Sequence, residues 1–534
     1  MKRKMLLFGL DGGTLNVLRP LADRGIIPFF AKLMKNGLTA PLRSTIPFVS
    51  PTAWASFITG KNPGKHGVFD FRSKVPASYD FEKNIPNIPK KGTIWKYLSD
   101  NNLRSLIFNI PMTYPPQPIN GSLISGFGTP GINSNFTYPS ALKKEILDRF
   151  DYVLDVYWAA KRVGQESKLL NEITHMTRTQ FDVLNHLMQR DSYDFVALGI
   201  ISTDRIQHRF FDSIQAYIDD ESYSDDIIEE ILQHMSMVDI RLQQLYEGGS
   251  FTDLILMSDH GFRRIDKGIN LNRFFQNKGW LYFQKNTPHR MPNNYNFLRR
   301  IGITGHNLRK LARKLSLNNS PLLNKALHSK EILQWDSTKV FSLTAASIYL
   351  NVKGREPTGV VHQKDYDSFR DEVMHSLLSF EHQGRPVINR VYKREDIYHG
   401  PNLDIAPDLI IGDPASRFLI DTTIDQSRDD VVAPKELMTG DHSIDGVFIA
   451  QGNSFTQGPF IQKPQIVDLL PTILAYYDIP VPNDIDGRVL EEIFADKPIM
   501  TTIQPHDPDD TDDYAYTDDE KNDIIENLKG LGYL

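Results

Sequence analysis

The chain has 534 residues, of which 40% are hydrophobic and 24% charged, with a formal net charge of -6 and no cysteine. That length supports a large core with room for an added domain, while the acidic balance argues against nucleic acid as a bulk electrostatic partner. Without thiols, disulfides and thiolate metal sites are excluded.

The basic start MKRK precedes an apolar run that ends at Asp11, shorter than the roughly 7–15 residues of a signal-peptide core. Met5 to Leu10 is therefore predicted to be the first core strand, and the protein cytoplasmic. No run approaches the roughly 20 apolar residues of a membrane span. A helix is expected over Pro28 to Lys35. The segment Ile46 to Phe71, IPFVSPTAWASFITGKNPGKHGVFDF, sets the hydroxyls of Ser50 and Thr52 at the head of another.

Further strands are predicted over Ser105 to Ile110, Phe195 to Ile201 and Asp253 to Met257, and further helices over Glu166 to Arg190 and Ile227 to Tyr246. Such alternation predicts a largely parallel sheet covered by helices on both faces. Acidic groups recur where these strands end: Asp11 after the first, Asp204 after Phe195 to Ile201, and Asp259 with His260 after Asp253 to Met257. Open α/β sheets build their sites at those carboxyl ends. Asp204 and His208 stand four apart, which sets both on one face of a helical turn, and TGDHS adds His442. A mixed set of carboxylates and imidazoles suits zinc, accepts manganese or iron, and in oxygen-rich form magnesium.

About 180 residues separate SDHGF from GDHS, more than one crossover needs, so an inserted α+β cap is expected there. Within it Ile348 to Val352, Tyr366 to Ser379 and Val387 to Tyr392 read as strand, helix and strand, and Asp404 to Ile411 as a return to the core sheet. The expected organisation is core over 1–265, cap over 266–400, core again over 401–500 and tail over 501–534. Asn307 to Leu317 is a basic amphipathic stretch, read as the solvated face of a cap helix rather than a membrane-surface helix. The acidic run His506 to Asp523 reads as a solvated linker, without the glycine and spacing of a calcium loop.

Taken in order, LLFGLDGGT, SPTAWASFITGKNPGKHG, STDRIQH, SDHGF, GDHS and VDLLPTILAYYDIPVPNDIDGR resemble the alkaline phosphatase superfamily, and within it the type I phosphodiesterase/nucleotide pyrophosphatase family. The resemblance implies an alkaline-phosphatase-like α/β core and two divalent ions, zinc or alternatively manganese. One would be held by Asp11, Ser50, Asp259 and His260, the other by Asp204, His208 and His442. In the family's pattern the nucleophile stands nine residues before the Thr of a Thr-Gly pair, which from Thr59 gives Ser50. Thr52 then reads as a helix-capping hydroxyl. The implied chemistry is hydrolysis of a small phosphodiester or pyrophosphate through a phosphoserine.

The sequence departs from the family at Phe71, where relatives usually carry an Asn that contacts phosphate; the backbone N–H groups at the helix start or Arg72 are the expected substitutes. A formylglycine sulfatase does not fit, since Ser50 is followed by Pro51-Thr52-Ala53-Trp54. A phosphomonoesterase, a phosphoglycerate-mutase-like phosphotransfer enzyme and a non-catalytic binding protein of the same fold are the alternatives. His66 reads as a structural helix stop, Lys61 and Lys65 as surface lysines, Asp441 as a partner of His442 or the start of a turn, and Asp486-Gly487-Arg488 as a closing turn.

Overall fold

The first predicted strand is central to the molecule. β1 (Met5–Leu10) is buried along its whole length, with Leu6, Phe8 and Leu10 in one apolar cluster and Met5 and Leu7 in another on the opposite face. A strand covered on both sides reads as a continuous apolar run rather than an alternating one. The computed structural model describes residues 3–79, 88, 92–157, 164–249, 251–284, 333–344, 346–414, 417–422, 430–435, 437–458, 462–504 and 516–531.

The main sheet also contains β2 (Leu38–Arg43), β3 (Ser105–Phe108), β4 (Gly121–Ile124), β5 (Thr137–Tyr138), β6 (Phe195–Ile200), β7 (Asp253–Met257) and the strand Asp445–Gly452. Its order is β2, Asp445–Gly452, β7, β1, β6, β3, β4, β5. From β7 to β4 the pairings are parallel; Asp445–Gly452 runs antiparallel to both β2 and β7, and β5 antiparallel to β4. The helices Glu166–Arg190 and Asp226–Gly248 bury apolar residues such as Leu170, Phe181, Ile231 and Leu242 in the cluster on one face, and Leu469–Tyr476 packs on the other. The fold is thus α/β with a mostly parallel central sheet flanked by helices.

A second sheet, antiparallel throughout, runs in the order Val340–Thr344, Ser347–Leu350, Leu409–Pro414, Ile388–Lys393 and is backed by the helix Tyr366–Leu378. This corrects the reading of Asp404 to Ile411. The apolar run does form a strand, but it pairs with Ser347–Leu350 and Ile388–Lys393, and the chain returns to the main sheet only at Asp445.

The acidic run is corrected as well. Asp518, Asp519 and Glu520 open the helix Asp518–Gly530, where the Thr517 hydroxyl accepts from Glu520 N–H and the Glu520 carboxylate accepts from Thr517 N–H. Carboxylates in a first turn meet the positive end of the helix dipole. Residues 506–515 of that run, and the basic stretch Asn307 to Leu317, lie outside the described residues. Among the described residues no helix is long and apolar enough to cross a membrane.

Candidate metal centre and nucleophile

Three adjacent strands, β7, β1 and β6, deliver their carboxyl ends to one edge of the sheet. Asp11 follows β1; Asp259 and His260 follow β7; Asp204 and His208 lie in the helix Ser202–Asp219 that begins just after β6. His442 reaches the same edge from the opposite direction, because Asp445–Gly452 runs antiparallel and its start lies beside the end of β7. Ser50 opens the helix Ser50–Thr59 after β2. All seven residues are buried.

The structure brings these side chains together. Ser50 Oγ is 3.2 Å from His260 Nε2, which lies 3.2 Å from Asp259 Oδ2 and 3.7 Å from Asp11 Oδ1. Alongside, His442 Nε2 is 2.9 Å from His208 Nε2 and 3.2 Å from Asp204 Oδ1, and His208 Nε2 is 3.3 Å from the same oxygen. Ligand atoms within 4.8 Å of one another are offered by Asp11, Asp259 and His260, and by Asp204, His260 and His442, so His260 belongs to both groups. Its ring stacks on that of His442 at 3.6 Å.

These residues fit a divalent cation. Asp11 Oδ1 and Asp259 Oδ2 are buried and have no hydrogen-bond partner, a costly condition that a cation relieves. Burial, and then the neighbouring charges of Asp259 and Asp204, push the Asp11 carboxyl well above its usual range. Burial likewise pushes Asp259 up to about 8, Asp204 adding to it. Asp204 is held well below its usual range: burial opposes this, but His208, His442 and Arg205 outweigh it. His260 is driven down by burial and by His442, so its imidazole is neutral and able to ligate.

Outer contacts aim the candidate ligands. His208 Nδ1 donates to the Gly440 carbonyl at 3.1 Å and His260 Nδ1 to that of Gly261 at 3.2 Å, which leaves each Nε2 facing the cluster. Trp54 Nε1–H donates to Asp11 Oδ2 at 3.1 Å and Gly12 N–H to Asp259 Oδ1 at 3.2 Å. Trp54 lies flush against β1 because Gly9 has no side chain; a Cβ there would come within 2.6 Å of its ring. Arg205 pairs with Asp204 at 2.7 Å and with Asp155 at 2.7 Å. The sequence reading missed Trp54, Gly12, Arg205 and Asp155; only Arg205, a cation beside Asp204 in STDRIQH, carried a local signal.

The remaining candidates fall elsewhere. Thr52 is not a cap: Val49 is the N-cap residue, and Thr52 Oγ1 is buried without a hydrogen-bond partner. Thr52 already lies inside the first turn, whereas a capping hydroxyl belongs to the residue before it. His66 is structural, its Nε2 2.9 Å from Ser56 Oγ and its Nδ1 accepting from Val68 N–H, and burial takes its pKa down to about 3. Lys61 pairs with Asp484, and Lys65 with Asp486, which also accepts from Asn62. Asp441 pairs with Arg263 at 3.1 Å. Phe71 is buried among Tyr114, Phe127, Tyr516, Ile524, Ile525 and Leu528, so the position holds an apolar anchor for the C-terminal helix.

A family model described as type I phosphodiesterase / nucleotide pyrophosphatase matches residues 5–445. No curated protein matches the chain. Among solved structures the chain is similar to phosphonoacetate hydrolase from Sinorhizobium meliloti 1021 in complex with phosphonoacetate, at 14% identity over 89% of this chain and 95% of that one, with a TM-score of 0.54. It is also similar to murine ectonucleotide pyrophosphatase / phosphodiesterase 5, at 14% identity over 92% and 100% of the two chains, with a TM-score of 0.48.

Proposed function

Because the chain belongs to the type I phosphodiesterase/nucleotide pyrophosphatase family, we propose that it hydrolyses a small phosphodiester or pyrophosphate, with Ser50 as nucleophile beside two divalent cations. The observation that carries this reading is the convergence of Ser50 Oγ with buried carboxylates whose oxygens Asp11 Oδ1 and Asp259 Oδ2 have no hydrogen-bond partner.

In the proposed assignment Asp11, Ser50, Asp259 and His260 hold one ion and Asp204, His208 and His442 the other, with zinc the best match to three imidazoles and three carboxylates. Such ions supply Lewis-acid stabilisation of the attacking and leaving oxygens. Ser50 Oγ forms the bond to phosphorus as the bond to the leaving-group oxygen breaks, and water then cleaves the phosphoseryl bond and restores the hydroxyl. At the start of the helix Ser50–Thr59, Ser50 lies where backbone N–H groups favour negative charge developing on the phosphoryl oxygens. This is the donor proposed in place of the side chain missing at Phe71.

Bis-p-nitrophenyl phosphate, a nucleotide pyrophosphate, p-nitrophenyl phosphate, a sulfate ester and phosphonoacetate should be compared with zinc, manganese and magnesium in turn. Diester or pyrophosphate cleavage is expected to lead. A consistent preference for p-nitrophenyl phosphate would replace this reading with a monoesterase, and no turnover of any compound with ions bound would favour a binding protein.

A further inference from the structure

We infer that Arg205 is a positioning residue that confines Asp204 to a single ion-facing oxygen, and that Asp155 is the anchor that makes it rigid. The inference rests on the two-ion reading above. Asp204 divides its carboxylate: Oδ1 faces His442 at 3.2 Å and His208 at 3.3 Å, while Oδ2 accepts from Arg205 Nη1 at 2.7 Å. The other edge of the guanidinium is held by Asp155, which accepts from Nη2 at 2.7 Å and from Nε at 3.2 Å. Its face lies over the Phe127 ring, 4.9 Å from the centroid, and Arg205 is fully buried.

This arrangement uses what is particular to Arg. A planar fork gripped along one edge presents its remaining N–H groups in a fixed direction, which a Lys ammonium on a flexible stem does not. With Oδ2 committed to Nη1, Asp204 offers an ion one oxygen rather than two. The coordination position that the second oxygen would fill then stays open, as catalytic sites require. Asp155 lies 50 residues before Arg205 in the chain and belongs to none of the ligand-bearing segments, so the anchor is independent of the loops it steadies.

Equilibrium dialysis with zinc alone tests this on wild type, Arg205→Lys and Asp155→Asn. Wild type should take up two ions. Arg205→Lys should keep one at wild-type affinity and bind the other about 10- to 100-fold more weakly, and added zinc should restore its diesterase turnover. Asp155→Asn, which leaves Arg205 in place, should weaken the same ion by a smaller factor. An Arg205 that merely supports the fold would lower thermal stability without separating the two affinities. Wild-type affinity for both ions in folded Arg205→Lys overturns the inference, as does the same result in Asp155→Asn if Arg205→Lys does not fold. A wild type that binds no zinc instead overturns the two-ion reading, and this inference with it.

Discussion

Ser50 and Thr52 lie two residues apart at the start of one helix, and their hydroxyls have opposite surroundings. Ser50 Oγ stands 3.2 Å from His260 Nε2, whereas Thr52 Oγ1 is buried without a partner. Ser50→Ala should therefore lower turnover by more than about 1,000-fold with fold and bound ions retained, as read by steady-state kinetics beside elemental analysis. Thr52→Val, which keeps the shape and removes an unsatisfied hydroxyl, should change unfolding free energy by less than about 1 kcal/mol in urea; a loss of activity instead would move the nucleophile two residues on. Asp11, Asp204, His208, Asp259 and His260 were legible as candidate ligands because each follows an apolar run or repeats at helical spacing, whereas Ser50 and His442 rested on the family resemblance. Trp54 and Asp155 were not, since their contacts with Asp11 and Arg205 span 43 and 50 residues and nothing local marks them.

At the scale of elements, one imidazole joins three helices. His234 in Asp226–Gly248 has Nδ1 at 2.9 Å from Thr174 Oγ1 in Glu166–Arg190 and Nε2 at 2.9 Å from Ser202 Oγ, the first residue of the helix that carries Asp204 and His208. Burial lowers its pKa from 6.5 to about 4. The unfolded chain thus takes up a proton that the fold refuses, so stability is full above pH 6.5 and falls as pH drops from 6.5 towards 4. The slope from this residue approaches about 1.4 kcal/mol per pH unit. His234→Gln, which keeps neutral hydrogen bonding, should remove that share of the slope in urea titrations at several pH values; an unchanged slope would mean that the imidazole is protonated in the fold. Helix and strand spans were readable from periodicity, and Glu166–Arg190 and Asp253–Met257 match their predicted limits. Leu409–Pro414 shows where periodicity stops: an apolar run identifies a strand without saying which sheet receives it.

Across the whole molecule, the loop that follows the Ser50 segment is tied to the region beside the second sheet by a buried ion pair. Lys74, soon after the Ser50 segment, pairs with Glu356 beside the second sheet, with side-chain exposures of 3% and 0%. Arg355 adds its own contact to Glu356 at 2.9 Å and another to Asp408 at 2.6 Å. Removing one member of such a pair strands the other charge away from water, so Glu356→Gln should destabilise the protein by about 3–5 kcal/mol in denaturant unfolding. Replacing Lys74 and Glu356 together with apolar residues should recover much of that loss. No amount of local pattern would have paired these two, because their separation of 282 residues is bridged only by the fold.

The placement of Asp445–Gly452 between β2 and β7 has a consequence for biosynthesis. Both neighbours leave the ribosome long before it does, and among the described residues this strand is the one that pairs with β2 in the sheet. About 190 residues separate the end of β7 from Asp445, so at ordinary elongation rates of roughly 5–20 residues per second the gap stays open for about 10–40 s. Through that interval two bare strand edges face solvent or a waiting chaperone, each a template for pairing with another chain. Translation arrested just before Asp445 should yield nascent chains that proteases digest readily, and arrest far enough beyond Gly452 for the strand to emerge should yield resistant ones. Equal resistance on both sides of that point would mean that the rest of the sheet closes without its last strand.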